Sequence, residues 1–266
     1  MFAVNTIRQE PHYRRAAFDT GLQKLGYTMV PVGARPKGRH DLLLVWNLNP
    51  PNEGHAIDWE GAGGSVLVCE NGYLGKDANG HQLYAISVHG HNGSGWFPVG
   101  SEDRFARLGI ELKPWRADAG YILVCGQRGI GSRQMASPPG WEDRVAKSLK
   151  GMGQSDLKLR RHPGRYTPET TLEQDLAGAR LCLIWSSSSG VTALTQGVPV
   201  VYCAPHWICA GAATRGLETL STLCASDESR STAMRRMAYG QWTVAEIEAG
   251  EPFKAILAEL EHATWQ

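Results

Sequence analysis

Residues 181–201 read Leu-Cys-Leu-Ile-Trp-Ser-Ser-Ser-Ser-Gly-Val-Thr-Ala-Leu-Thr-Gln-Gly-Val-Pro-Val-Val. Leu181 to Trp185 is a short apolar run closed by a turn signal, the pattern of a buried strand. Ser186 to Ser189 and Gly190 are small, and such residues cap helices and let another group approach the backbone. Val191 to Gln196 predicts a short helix stopped by Gly197, and Val198 to Tyr202 predicts the next strand. A strand that ends in a small-residue turn and a helix N-terminus presents free backbone N–H groups and the positive end of the helix dipole. That combination suits a phosphate or diphosphate. An ordinary strand–turn–helix with capping serines starts the same way, but four successive serines exceed the one cap a helix needs.

The flanking sequence repeats the alternation. Tyr121 to Cys125 predicts a strand, followed at once by Gly126-Gln-Arg-Gly-Ile-Gly131. Gly126, Gly129 and Gly131 permit a tight turn, and Arg128 is placed to meet an anion. The spacing G-x-x-G-x-G differs from the dinucleotide fingerprint, and no acidic residue closes a following strand. Trp141 to Met152 predicts a helix, Leu157 to Arg161 a strand running into His162-Pro-Gly-Arg165, and Leu172 to Ala177 a helix. His162 reads either as a ligand contact or as a histidine satisfying its own turn. After the central stretch comes a loop, Ala204-Pro-His-Trp-Ile208, and then helical patterns over 211–223, 228–238 and 243–261.

In the first half, strands are expected at Phe2–Thr6, Tyr27–Val32, Asp41–Trp46 and Ser65–Cys69, with helices over 11–25 and 52–61. Strands alternating with helices predict a parallel sheet covered on both faces, and ligands gather at the carboxyl ends of such strands. That rule puts Asn47, Glu70 and Asn71 at the edge of a ligand site. Residues 72–120 read as irregular, Gly-rich and aromatic. Within them His89-Gly-His-Asn-Gly-Ser-Gly-Trp96 combines mobile glycines with polar and aromatic side chains, as a substrate loop does. An ordinary structural loop has the same composition. His89 and His91 lack a third ligand at metal spacing, so no metal is expected.

The chain is 266 residues long with a formal net charge of +1, which excludes a uniformly basic nucleic-acid binder but not a local basic face. Its 42% hydrophobic content is enough for a full core. No run approaches the ~18 apolar residues of a membrane span. The N-terminal residues lack a signal-peptide pattern. Cys69, Cys125, Cys182, Cys203, Cys209 and Cys224 are scattered without a C-x-x-C pair, as small core residues of a reducing compartment. A cytoplasmic protein is expected.

The order of motifs in the second half resembles the carboxy-terminal half of GT-B glycosyltransferases, above all the capsule and Kdo-transferase type. Those carry a His-Pro turn and then Ser-Ser-x-x-Gly-x-Glu-Ala-Leu-x-x-Gly-x-Pro-Val. Here the matching residues are His162-Pro163 and Ser187-Ser188-Ser189-Gly190-Val191-Thr192-Ala193-Leu194-Thr195-Gln196-Gly197-Val198-Pro199-Val200. The similarity covers roughly residues 120–205. The family's glutamate is replaced by Thr192, so donor identity does not carry over. The resemblance implies an α/β fold of two Rossmann-like lobes with a cleft between them. It divides the chain into an acceptor-side lobe, 1–115, and a nucleotide-sugar lobe, 116–266. It implies no cofactor other than a nucleotide-sugar co-substrate, a UDP-sugar being expected. The diphosphate would lie on Ser187 to Gly190 near Arg128, and the nucleoside near His162, Pro163 and the 204–208 loop. GT-B enzymes generally do without an Asp-x-Asp metal site, and this sequence has none; helix dipoles and arginine then stabilise the leaving group.

For the base that accepts the acceptor's proton, Glu70 is the first candidate, with His91 and His89 next. Asn47, Asn71, Tyr73 and Trp96 are the candidate acceptor contacts. Basic residues Arg8, Arg14, Arg15, Arg35, Lys37 and Arg39 accompany aromatics, a pairing suited to double-stranded DNA with an extruded base. The style resembles small phage or prophage glycosyltransferases that modify hydroxymethylated pyrimidines. A saccharide acceptor, an NAD-dependent oxidoreductase and a non-catalytic nucleotide-sugar or dinucleotide-binding protein are the alternatives. Nothing in the sequence forms a strongly basic amphipathic membrane helix.

Overall fold

Apolar runs bounded by Gly, Pro and Asn become strands, and amphipathic stretches become the helices that cover them. In a computed structural model that describes residues 1–100, 103–116, 120–164, 167–220 and 225–262, the elements follow in order. They begin with β1 (Phe2–Asn5), α1 (Arg15–Lys24), β2 (Thr28–Val30), β3 (Leu42–Trp46), α2 (Pro50–Gly61), β4 (Ser65–Lys76), β5 (Gln82–Val88) and α3 (Asp103–Arg107). Next come β6 (Tyr121–Cys125), α4 (Trp141–Gly151), β7 (Leu157–Arg160), α5 (Leu172–Ala177), β8 (Ala179–Ile184), α6 (Ser189–Thr195), β9 (Val200–Tyr202) and β10 (Thr214–Arg215). The chain closes with α7 (Asp227–Tyr239), β11 (Gln241–Trp242), α8 (Val244–Ala249) and α9 (Glu251–His262). Two units result: Met1–Leu108 with Arg236–Gln266, and Gly109–Arg235.

The sheet of the first unit runs β11-β5-β4-β3-β1-β2. β1 to β4 are mutually parallel, while β5 is antiparallel to β4 and β11 antiparallel to β5. Side-chain alternation along the strands divides the core. Val4, Leu43, Val45, Val66 and Val68 face α2, where Ala56 and Trp59 meet them. Ala3, Leu42, Leu44, Leu67 and Cys69 face the other way, onto Phe18 and Leu22 of α1 and Phe253, Ile256 and Leu260 of α9. Glu70 continues the Val66–Val68 alternation, which sets it on the α2 side. The sheet of the second unit, β10-β9-β8-β6-β7, is parallel throughout. Ile122, Val124, Leu181, Leu183 and Val201 pack on Trp141, Val145 and Leu149 of α4.

Several expectations change. Residues 236–266 belong to the first unit, not to the second lobe. Phe253, Ile256 and Leu260 have no exposed surface there, and burying each such side chain stabilises by about 1.5–3 kcal/mol. The single helix expected over 243–261 is two, parted at Gly250 with φ +85°. The helix expected over 11–25 begins only at Arg15, because Arg14 takes φ +52°. β4 does not stop at Cys69. It continues through a register shift to Lys76 and pairs with β5, so part of the irregular 72–120 region is a hairpin closed over Asp77–Gly80. The helix expected over 211–223 is, among the described residues, two short 3-10 turns around β10. Thr222, Leu223 and Cys224 lie outside the described residues. The other five cysteines are free thiols, four of them buried. Among the described residues no helix is long and apolar enough to cross a membrane.

Candidate functional site

At the carboxyl edge of the second unit's sheet, three turns singled out in the sequence come together. The Gly126 N–H donates to Arg160 O at 2.9 Å, joining the glycine turn to the start of the His-Pro turn. Gln127 bridges to the serine turn: Ser186 N–H donates to Gln127 Oε1 at 2.5 Å, and Gln127 Nε2 donates to Ser186 Oγ at 3.3 Å. Gly164 N–H donates to His162 Nδ1 at 2.9 Å. Gly164 lies against both side chains, since a Cβ there would sit 3.0 Å from His162 Nδ1 and 3.2 Å from Arg128 Cδ. Arg128, His162 and Gly164 are therefore neighbours, and Arg128 is exposed. Gly129 adopts φ +70° and Gly131 φ +144°, values that side chains resist.

The serine turn works differently from a simple cap. Ser188 is helical in conformation and its side chain caps nothing. Ser187 Oγ accepts from Ser189 N–H at 3.2 Å, and the N–H groups of Gly190 and Val191 are taken by Ser187 O and Ser188 O. The backbone N–H groups of Ser187 and Ser188 have no acceptor among the described residues. Those two, rather than the whole helix start, remain to meet an anion. Gly190 seats α6 on its neighbours, because a Cβ there would lie 2.6 Å from Ile184 Cδ1 and 2.7 Å from Trp207 Cζ2. Thr192 is half-buried on α6. Gln127 is the residue that sequence reasoning missed, since one amide between glycines carries no signature.

At the carboxyl edge of the first unit's sheet, Glu70, Tyr73 and His91 gather. The Tyr73 hydroxyl donates to the Glu70 carboxylate, and Tyr73 Oη accepts from Asn92 N–H at 3.2 Å. Burial pushes the Glu70 pKa above the ordinary range; the opposing pull of His91, of the Tyr73 hydroxyl and of the Asn92 N–H does not cancel it. His91 is 5% exposed, and its Nδ1 has no hydrogen-bond partner among the described residues. A half-buried carboxyl with a raised pKa next to an imidazole has the chemistry of a general base. Asn47 ends β3 beside it with φ +58°; its N–H donates to Cys69 O at 3.0 Å, and its carbonyl accepts from Asn52.

Other expected residues are elsewhere. His89 pairs with Glu60 at 2.6 Å and its N–H bonds Val66 O near the start of β4, so it stands apart from Glu70. The reason is backbone direction: His89 takes φ +65° where β5 ends. Trp96 forms a bridge with Val88 and packs on the core. The loop 89–96 is tightly packed, not open, for a Cβ at Gly95 would meet Val88 O at 2.4 Å. Asn71 is exposed on the opposite face from Glu70, paired in register with Tyr84. On that face an aromatic group missed in the sequence, Tyr13, Trp46 and Tyr84, stands edge to face at 4.8 and 6.0 Å. The basic residues form no single stripe. Arg8 and Arg14 follow β1, whereas Lys37 and Arg39 bond near the starts of β3 and β4. Arg8 and Arg15 pair with Glu10 and Asp19. Among the described residues no group of three or more His, Cys, Asp or Glu is disposed to hold a metal.

The two sheets, each with polar residues gathered at its carboxyl edge, make an α/β protein of two Rossmann-like units. Two solved structures with this fold are KpsC enzymes of Thermosulfurimonas dismutans. One, described as a beta Kdo 2,4 transferase, matches with a TM-score of 0.54 and 11% identity over 90% of each chain. The other, described as a beta Kdo 2,7 transferase, matches with a TM-score of 0.54 and 13% identity over 97% of this chain and 99% of its own. No protein-family model and no curated protein matches the chain.

Proposed function

We propose that the chain is a glycosyltransferase that moves a sugar from a nucleotide-sugar to an acceptor hydroxyl. The observation that carries the reading is the meeting of the Gly126–Gly131, His162–Gly164 and Ser186–Gly190 turns at one sheet edge. There, exposed Arg128 and two unpaired backbone N–H groups offer a place for a diphosphate. Pro163 and the 204–208 loop would flank the nucleoside. Glu70 would take the proton of the acceptor hydroxyl as the new C–O bond forms and the nucleotide leaves with the electrons of the old one. Arginine and backbone dipoles stabilise that leaving charge without a metal held by an Asp-x-Asp motif.

A saccharide hydroxyl is the acceptor this reading prefers, because the basic residues are divided between the two ends of the first sheet. Such a layout does not track a phosphate backbone. The likeness in fold to two Kdo transferases points the same way. Nucleotide-sugars being intracellular metabolites, the reading implies a cytoplasmic protein.

The test incubates the protein with UDP-sugars, CMP-sugars and an activated Kdo donor, each against saccharides and against duplexes containing hydroxymethylated pyrimidines. Nucleotide release with a sugar-sized mass gain on a saccharide, absent in Ser188→Trp, is the expected result. A gain on the duplex instead would replace the acceptor. Binding of a donor with no turnover on any acceptor would overturn the enzyme reading in favour of a binding protein.

A further inference from the structure

We infer that Tyr73 and Gln241 are positioning residues that hold the Glu70 carboxyl in one orientation; the inference gains its catalytic meaning from the reading of Glu70 as base. Between Asn71 and Lys76 the register of β4 against β5 shifts, and backbone groups in such a bulge lose their ladder partners. Gln241 supplies them from β11. Its Oε1 accepts from the N–H groups of Tyr73 and Leu74, the second at 2.8 Å, and its Nε2 donates to Leu74 O at 2.9 Å. The side chain is 1% exposed, and its amide lies so close to Gly72 that a Cβ there would meet Oε1 at 2.9 Å. One buried amide thus fixes the backbone from which the Tyr73 ring projects.

The ring then fixes the carboxyl. A phenol has one proton, and Tyr73 Oη already accepts from Asn92 N–H. Its own proton is therefore directed at Glu70. The chain of contacts Gln241, Tyr73, Glu70 ties the C-terminal segment to the carboxylate through three bonds to backbone and one to side chain. A structural amide alone would need only the first three. The groups that face Glu70 are the Tyr73 phenol, the Asn92 N–H and His91; Cys69, next to it in β4, points to the opposite face. Because the phenol donates to the ionised carboxylate, its removal disfavours ionisation.

The test uses the full chain with glutamate labelled at the carboxyl carbon, the Glu70 resonance being assigned by its loss in Glu70→Gln. Tyr73→Phe is expected to move the Glu70 titration midpoint upward by about one pH unit. The acid limb of kcat/KM should move with it. Gln241→Met is expected to shift the midpoint in the same direction by less, and the double variant to go no further than Tyr73→Phe alone. If Gln241→Met does not fold by circular dichroism, Gln241→Asn takes its place, withdrawing the amide by one methylene. An unmoved midpoint in Tyr73→Phe, or a lowered Tm with an unmoved midpoint in the Gln241 variant, overturns the inference. Undiminished turnover in Glu70→Gln would instead remove the base reading and leave the midpoint shifts standing.

Discussion

Each unit carries a carboxylate beside its sheet, and the two are shifted in opposite directions. Asp175, 1% exposed in the second unit, accepts from Thr170 Oγ1 at 2.6 Å, Lys158 at 2.7 Å and Arg160 at 2.5 Å. Burial alone would raise its pKa, but the hydrogen bonds from Lys158, Thr170 and Arg160 outweigh burial and hold it below the ordinary range. Glu70 in the first unit has a phenol, one backbone N–H and an imidazole, and burial wins. The difference separates structure from chemistry. A carboxylate given two cations and a hydroxyl is locked in its charged form and has no proton to exchange near neutral pH. One left short of partners is free to take a proton, which is what a base must do.

The largest effect expected from this contrast is on turnover. Glu70→Gln keeps the shape and removes the proton acceptor, and transfer should fall by about 10²–10⁴-fold. Donor affinity, measured by calorimetry, should stay as it was, because the residues proposed to hold the donor belong to the other unit. Loss of donor binding together with turnover would show that Glu70 supports the fold and would erase the distinction from Asp175.

How much of this was legible in the sequence follows from the range of the interactions. The strand–turn–helix order of residues 121–202 is local, and the periodicity of Leu181 to Val201 places it within a residue or two. Glu70 is legible as the first charged residue after an apolar run, although β4 itself continues past it to Lys76 and pairs it with Ala85. The partners of Glu70 are not, because Tyr73 reaches it only through a bulge in β4, and that bulge is held by Gln241, which lies 168 residues away. His89 and His91 look equivalent in sequence, yet positive φ at His89 and Asn92 turns the loop so that only His91 nears Glu70. The helical period of 243–261 shows an apolar face but not which sheet it covers. The buried Gly250 turn and Phe253 settle that in three dimensions.

A second, intermediate effect sharpens the role of Asp175. Asp175→Asn leaves half-buried Arg160 beside a neutral amide, and breaking an ion pair whose carboxylate is buried destabilises by about 3 kcal/mol. The sign in pH follows from a depressed pKa. The stabilisation by Asp175 is present above the pKa of the unfolded chain and is lost as pH falls through the lower, folded value. Denaturant melts should therefore show wild type and variant converging at strongly acid pH. A constant gap at every pH would mean that Asp175 contributes shape and hydrogen bonds but no charge linkage.

The smallest effect has the opposite sign. Glu70 has a raised pKa, so the folded chain prefers its protonated form. The stabilisation from that preference is complete below the unfolded pKa and is lost as pH rises through the folded value. At neutral and alkaline pH, ionised Glu70 opposes folding, and Glu70→Gln, which cannot ionise, should melt at a higher temperature than wild type. The gain should shrink toward acid pH, where both side chains are neutral. A residue that costs stability at working pH and yet is required for turnover is what a functional carboxylate predicts. A variant less stable than wild type at alkaline pH would instead place Glu70 with Asp175, as a charge that the fold needs.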